Sequence, residues 1–222
     1  MSQELSSPPD RLFNASLFQT ASFIDGQWVN AASGKTIAVT DPGNGAVIGH
    51  VAAMSAQESR KAVDAAHRAF PAWSVMLPQD RAALLRRWFD LVNEAREDLA
   101  TLMVMEQGKP ISEARGEIAY AASFMEFYAE ETKRPNIEGV TSHLPDAEVE
   151  LWREPVGVAA LITPWNFPCA MITRKATAAM AAGCTVVVHP SKETPFSALA
   201  LAETARRAGI PPGVFNVVTG EP

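Results

Sequence analysis

The stretch VGVAALITPWNFPCAMITRKATAAMAAGCTVVVHPSKETPFSALALAETARRAGIPPGVFNVV, residues 156–218, decides the fold. It holds three short, continuous apolar runs: VGVAALI (156–162), CTVVVH (184–189) and VFNVV (214–218). Apolar runs of this length, without polar alternation, are strands covered on both faces. Between them lie stretches of helical composition over 169–182 and 195–208, the second closed by Gly209 and Pro211. Single helices between doubly buried strands give parallel pairing. The expected class is therefore α/β, with a partial, Rossmann-like parallel sheet and flanking helices.

Ligands of such sheets bind beyond the carboxyl ends of the strands. TPWNFP (163–168) occupies that place after the first run. Pro164 and Pro168 fix their own φ and hold Thr163 and Phe167 extended, so the corner is stiff. Asn166 is the polar side chain held there. Its amide is a neutral donor suited to a developing oxyanion, a role worth about 3 kcal/mol where such donors have been removed. The same residue could instead cap the helix beginning near Pro168, and spacing alone leaves both readings open. Cys169, three residues on, sits where a helix N-terminus would lower a thiol pKa, although helical geometry turns it toward packing.

Upstream, SFIDGQWVN reads as a hairpin around Asp25-Gly26, and TIAVTDPGNGAVIGHVA as another around residues 41–45. Ser55 and Glu58 form a capping box for a helix whose apolar residues include Val63, Ala66, His67 and Phe70. His67 there is an ordinary packed or half-exposed histidine. Residues 79–107 carry Leu84, Leu85, Trp88, Leu91, Val92, Leu99, Leu102 and Met103 at helical spacing, with Gly108 as the stop and Pro110 opening a further helix. Both read as long surface helices. About 135–153 is expected as a connector with a bridging strand, EVELWRE, that has one wet face. Residues 1–21 are expected to be a flexible arm, and 22–222 one unit.

At 222 residues and 47% apolar, the chain can bury roughly 70% of its unfolded surface, enough for a real core. Nineteen basic against 25 acidic residues give a formal charge of −6, which disfavours nucleic acid as a partner. Two lone cysteines, Cys169 and Cys184, offer neither a disulfide framework nor a metal site. No apolar run is long enough for a membrane helix. A cytoplasmic protein is the expectation.

PWNFP followed by AMITRK, then AAGCTVVV, TPFSALALA and AGIPPGVFNVVTG, resembles the aldehyde dehydrogenase superfamily, in particular its succinate-semialdehyde dehydrogenase branch. FIDGQWV, DPGNG and EQGKP extend the resemblance back to residue 22. It implies oxidation of an aldehyde, here a semialdehyde, with NAD or NADP through a cysteine thiohemiacetal. It further implies Asn166 as the side-chain half of an oxyanion hole and Lys175 as a residue organising the site. Ile162, Thr163, Pro164 and Trp165 would wall the cofactor, and Arg174 would receive the substrate carboxylate. Without the resemblance, Arg174 reads as an exposed arginine paired to a surface acid. The family forms homo-oligomers.

The family's next motif usually reads Lys-Pro-Ala/Ser-Glu-x-Thr-Pro, whereas here it is HPSKETP (189–195). His189, Ser191 and Lys192 are the implied cofactor contacts. An ammonium in place of the usual carboxylate attracts a 2′-phosphate, so NADP is favoured over NAD, and His189 is expected to donate to a ribose hydroxyl. Drift at an idle site is the competing account. The nucleophilic cysteine, the glutamate base and the Gly-Ser-Thr loop of the family have no counterpart in these residues. The catalytic domain is therefore expected to be absent, and the chain alone to be inactive, either as part of an enzyme or as a non-catalytic remnant that binds nucleotide or joins an intact homologue.

Overall fold

A computed structural model describes residues 8–134 and 137–221. Its main sheet has five strands: β1 (Ser22–Ile24), β2 (Gln27–Val29), β7 (Val158–Ile162), β8 (Thr185–His189) and β9 (Phe215–Val217), in the order β2-β1-β9-β8-β7. The three decisive runs form β7, β8 and β9, and β8 pairs in parallel with both neighbours. The N-terminal hairpin adds β1 antiparallel to β9, so the sheet is mixed rather than purely parallel. Asp25 (φ 52) and Gly26 (φ 76) supply the two positive angles that a two-residue hairpin turn requires. Pairing β1 with β9 covers one of the two edges that three strands alone would expose; β7 is the other outer strand.

Alternation along β8 divides the interior. Val186 and Val188 join the larger core, and Val187 faces a smaller one with Ala62, Ala65 and Ala66 of α1 (Ala56–Val75). α1 lies close to the sheet because its inner face is alanine. Gly213 (φ 80) permits that approach, since a Cβ there would stand 2.7 Å from the Ala65 carbonyl oxygen. The expected inner face of this helix holds only in part: Ala66 is buried and Phe70 half-buried, but Val63 and His67 are exposed, and the buried stripe is Ala62, Ala65, Ala66 and Trp73. Large apolar residues marked the wrong side because close packing selects small ones. The capping box is as expected, with Glu58 N donating to Ser55 Oγ and Ser55 N to Glu58 Oε2 at 2.8 Å.

On the other face lie α5 (Ala170–Ala181) and α6 (Pro195–Ala208), backed by α2 (Pro78–Glu94), α3 (Arg96–Gln107) and α4 (Ile111–Glu131). Residues 79–107 are two helices, not one: the chain bends at Ala95 (φ −86, ψ 9). α3 is also more buried than a surface helix, holding Leu99, Leu102, Met103 and Glu106 inside. Trp88 donates to Thr204 Oγ1 at 3.0 Å and Trp73 to the Met180 carbonyl at 3.1 Å, so both large rings satisfy their N–H within the core.

Three further expectations change. The arm over 1–21 is docked through its described part: Leu17 is fully buried, and the Phe13 and Asn14 amides donate to buried Asp98 at 2.8 and 3.0 Å. The connector over 135–153 contains a hairpin, β5 (Ile137–Val140) with β6 (Val149–Trp152); Pro135 and Asn136 lie outside the described residues. Instead of one wet face, β6 exposes Leu151 and Trp152 together with Glu150. The second N-terminal hairpin, β3 (Thr36–Thr40) with β4 (Val47–Ala52), forms a separate two-stranded sheet.

Candidate functional site

The carboxyl ends of β7, β8 and β9 share one rim. Ile162 stands opposite His189 in the register, the Thr163 amide donates to the His189 carbonyl at 3.1 Å, and the Val218 amide donates to the Val188 carbonyl at 2.9 Å. Thus 162–166, 189–192 and 218–221 are brought together by the parallel ladder. Ile162, Pro164, Trp165 and Asn166 are exposed, whereas Thr163 is buried with its Oγ1 lacking a hydrogen-bond partner among the described residues. Arg174 is exposed and Lys175 half-buried, neighbours about one turn into α5 beyond the corner.

Helix-capping by Asn166 is not what the corner is built for. α5 starts at Ala170, and its first amides, those of Cys169 and Ala170, donate to Glu117 Oε1 of α4 at 3.0 and 3.3 Å. A second buried acid repeats the device. Glu106 of α3 takes the Phe196 and Ser197 amides of α6 at 2.7 and 2.8 Å. Both helix N-termini behind the rim are therefore already occupied by protein carboxylates, and neither is open to a cofactor phosphate in the usual dinucleotide-fold manner. Any nucleotide contact from these strands falls to the loop side chains.

Those side chains are His189, Ser191 and Lys192. His189 Nδ1 lies 3.0 Å from the Val218 carbonyl oxygen. A carbonyl only accepts, so Nδ1 carries the proton, and in the neutral ring Nε2 is an acceptor. A ring held this way turns Nε2, and not the Nδ1 donor, toward any further partner, so a ribose hydroxyl there would donate to the ring where the sequence led us to expect the reverse. Ser191 Oγ closes a turn by accepting from the Glu193 amide at 3.3 Å. Lys192 Nζ is paired with Glu221 at 2.9 Å, and that carboxylate holds the ammonium above its ordinary pKa. An exposed pair of this kind is weak and can be displaced.

Arg174 is not paired with an acid in the ion pairs formed among the described residues; its guanidinium lies 5.5 Å from the Phe124 ring centre and 4.0 Å from Met171 Sδ. Cys169 is fully buried, and burial pushes its thiol well above the ordinary value, with Glu117 and Glu106 adding to the effect. The lowering expected from the helix N-terminus is cancelled because Glu117 occupies that terminus. Cys169 is thus a packed residue and not a nucleophile. No group of three His, Cys, Asp or Glu suited to a metal occurs among the described residues.

Sequence reasoning missed Lys109, Glu117 and Glu106. Lys109, from the EQGKP stretch, pairs with Glu117, donates to the Asn166 carbonyl at 3.1 Å and stands 4.7 Å from the Phe167 ring centre. A signal was present: Glu117 lies between Ala114, Ile118 and Ala121 on the apolar face of α4, and Glu106 follows Leu102 and Met103 in α3. Acids at such positions are buried, and buried acids have partners.

A sequence model described as "Aldehyde dehydrogenase family" matches residues 28–222. Glutarate-semialdehyde dehydrogenase of Pseudomonas aeruginosa is 55% identical over 210 residues, covering 95% of this chain and 44% of its own length. Succinate-semialdehyde dehydrogenase [NADP(+)] of Escherichia coli is 54% identical, with the same two coverages. Among solved structures, an E. coli NADP-dependent enzyme superposes with a TM-score of 0.93 at 54% identity, covering 95% of this chain and 44% of that one. The chain therefore spans less than half the length of the curated relatives it matches.

Proposed function

The chain belongs to the aldehyde dehydrogenase family, and from that premise we propose that it is the N-terminal, cofactor-side part of an NAD(P)-dependent enzyme oxidising a semialdehyde to the carboxylic acid. The observation that carries the reading is the shared rim of β7, β8 and β9, where TPWNFP, His189, Ser191 and Lys192 converge beside the unpartnered Thr163 hydroxyl. This donor set fits a dinucleotide: an ammonium for phosphate, an imidazole acceptor for a ribose hydroxyl, and an apolar wall from Ile162, Pro164 and Trp165. When bound, the cofactor supplies the hydride acceptor. Lys192 favours NADP, provided Glu221 gives way to the 2′-phosphate.

Asn166 would donate its side-chain amide to the oxyanion that develops on the substrate carbonyl. Lys175 would organise the site one helical step away. Arg174, with no acid partner among the described residues and with its guanidinium against the Phe124 ring, is suited to the distal carboxylate of a semialdehyde. Both cysteines are buried, so these 222 residues on their own offer no accessible cysteine as a nucleophile and are expected to turn over no aldehyde. That same pair of cysteines also favours a second reading, a non-catalytic chain that binds nucleotide or joins an intact homologue. Self-association is part of either reading, supported by Leu151 and Trp152 exposed on the β5–β6 hairpin.

The test is complementation. The purified chain is mixed, during refolding, with a polypeptide supplying the remaining share of the E. coli relative, and NADPH formation from succinate semialdehyde is followed. Turnover absent from either part alone supports the enzyme reading, and silence in the mixture favours the non-catalytic one.

A further inference from the structure

The prolines of TPWNFP restrict Thr163, Pro164, Phe167 and Pro168, yet the side chains of Trp165, Asn166 and Phe167 are exposed, and proline leaves φ and ψ of Trp165 and Asn166 free. Something else must hold the middle of the corner. The structure assigns that task to a pair from outside it. Lys109 comes from the loop after α3, where Gly108 (φ 83) ends the helix in the left-handed conformation and turns the chain toward α5. Glu117 lies two turns into α4, and their side chains are only 10% and 2% exposed.

Each partner grips a different end of the corner. Glu117 Oε1 accepts from the Cys169 and Ala170 amides, fixing the exit into α5, while Oε2 binds Lys109. Lys109 then donates to the Asn166 carbonyl at 3.1 Å, and its ammonium lies 4.7 Å from the Phe167 ring centre. The Met171 amide closes the set by donating to the Phe167 carbonyl at 3.0 Å. With its own carbonyl held, and the next ring held beneath an ammonium, Asn166 has its φ, ψ and Cα–Cβ direction set.

We propose that Lys109, anchored by Glu117, is a positioning residue that fixes the direction of the Asn166 side chain. The proposal rests on the reading of Asn166 as the donor of the site. Charge neutrality explains the choice of a pair: a lone ammonium beneath this corner would be desolvated without compensation, and a lone carboxylate would cap α5 but leave the Asn166 carbonyl unheld. A neutral donor in place of Lys109 could keep one hydrogen bond and would lose both the ion pair and the ring contact.

The experiment is NMR on the full 222-residue chain labelled with 15N-asparagine, without any ligand. The 1H–15N heteronuclear NOE of the Asn166 side-chain amide reports its order on the nanosecond scale. In wild type it is expected to match that of Asn216, which is buried and hydrogen-bonded through the same group at 2.7 and 3.1 Å. Lys109→Met is expected to lower the Asn166 value strongly while leaving Asn216 unchanged, and Lys109→Arg to restore much of it. A wild-type Asn166 amide as mobile as that of Asn30, which is exposed and makes no side-chain hydrogen bond among the described residues, overturns the proposal with no variant needed, as does a folded Lys109→Met chain in which the Asn166 value is unaltered. NADPH binding, followed separately by fluorescence, involves His189 and Lys192 and not Lys109. Failure of wild type to bind would therefore count against the functional reading while leaving the positioning result intact.

Discussion

A single carboxylate in this chain illustrates how local geometry sets a proton equilibrium. Glu58 takes the Ala32 amide at 2.6 Å and both the amide and hydroxyl of Ser55 at 2.8 and 2.7 Å, and these donors, the Ala32 amide foremost, hold it down at about 2. A carboxyl with a depressed folded pKa contributes stability that is complete above its unfolded value and lost as pH falls toward the folded one. Glu58→Gln should therefore destabilise the chain at pH 7, with the difference from wild type shrinking between about pH 4.5 and pH 2 as measured by urea unfolding. Lys192 poses a different residue-scale question. In the proposed NADP site its partner Glu221 would compete with the 2′-phosphate, so Glu221→Gln should tighten NADPH several-fold and leave NADH unchanged, whereas Lys192→Glu should reverse the preference, both read by fluorescence titration.

At the scale of elements, α5 and α6 are each capped by an acid from a neighbouring helix, and this ties four helices together through two side chains. Glu106 is fully enclosed between α3 and α6. Burial pushes it up to about 7, against the two amides it accepts from. The folded state then holds a proton that the unfolded state releases, so this residue makes stability fall as pH rises from about 4.5 to about 7. Glu106→Gln should flatten that segment of the stability profile, since glutamine keeps an acceptor for one amide without the charge. Gly108→Ala tests the loop that delivers Lys109: a Cβ at φ 83 would stand 2.7 Å from Pro42 Cγ, and the change should cost about 1 kcal/mol or more in thermal or urea unfolding. The strands, the crossover helices and the rim were legible because period and punctuation encode them locally: three apolar runs, Gly209, the proline corner. The α1 face, the break at Ala95 and the acid caps were not. Each depends on what packs opposite, and a close helix–sheet contact prefers Ala62, Ala65 and Ala66, which no apolar-periodicity argument ranks first.

The whole molecule is held at both ends of its sequence. β1 pairs with β9, Ser22 Oγ meets Thr219 Oγ1 at 2.9 Å, and the segment around Leu12 to Leu17 closes over α3 and α6. Removing residues 1–20 would take away Leu17, uncover the apolar surface of α6 that it packs on, and leave the Asp98 carboxylate without its two amide donors. Loss of about 3 kcal/mol or more, read by urea unfolding, is the expected result. These long-range closures were not legible in the sequence, because nothing local to FIDGQWV specifies which strand it joins. They place the rim of β7, β8 and β9 on a supported sheet, and the account as a whole stands on that rim recognising a phosphorylated dinucleotide. Titration of the purified chain with NADPH and NADH, followed by nicotinamide fluorescence, tests this most directly. The account predicts saturable binding with NADPH the tighter ligand and the preference reversed in Lys192→Glu; equal affinity of the wild-type chain for the two, or no binding of either, contradicts it.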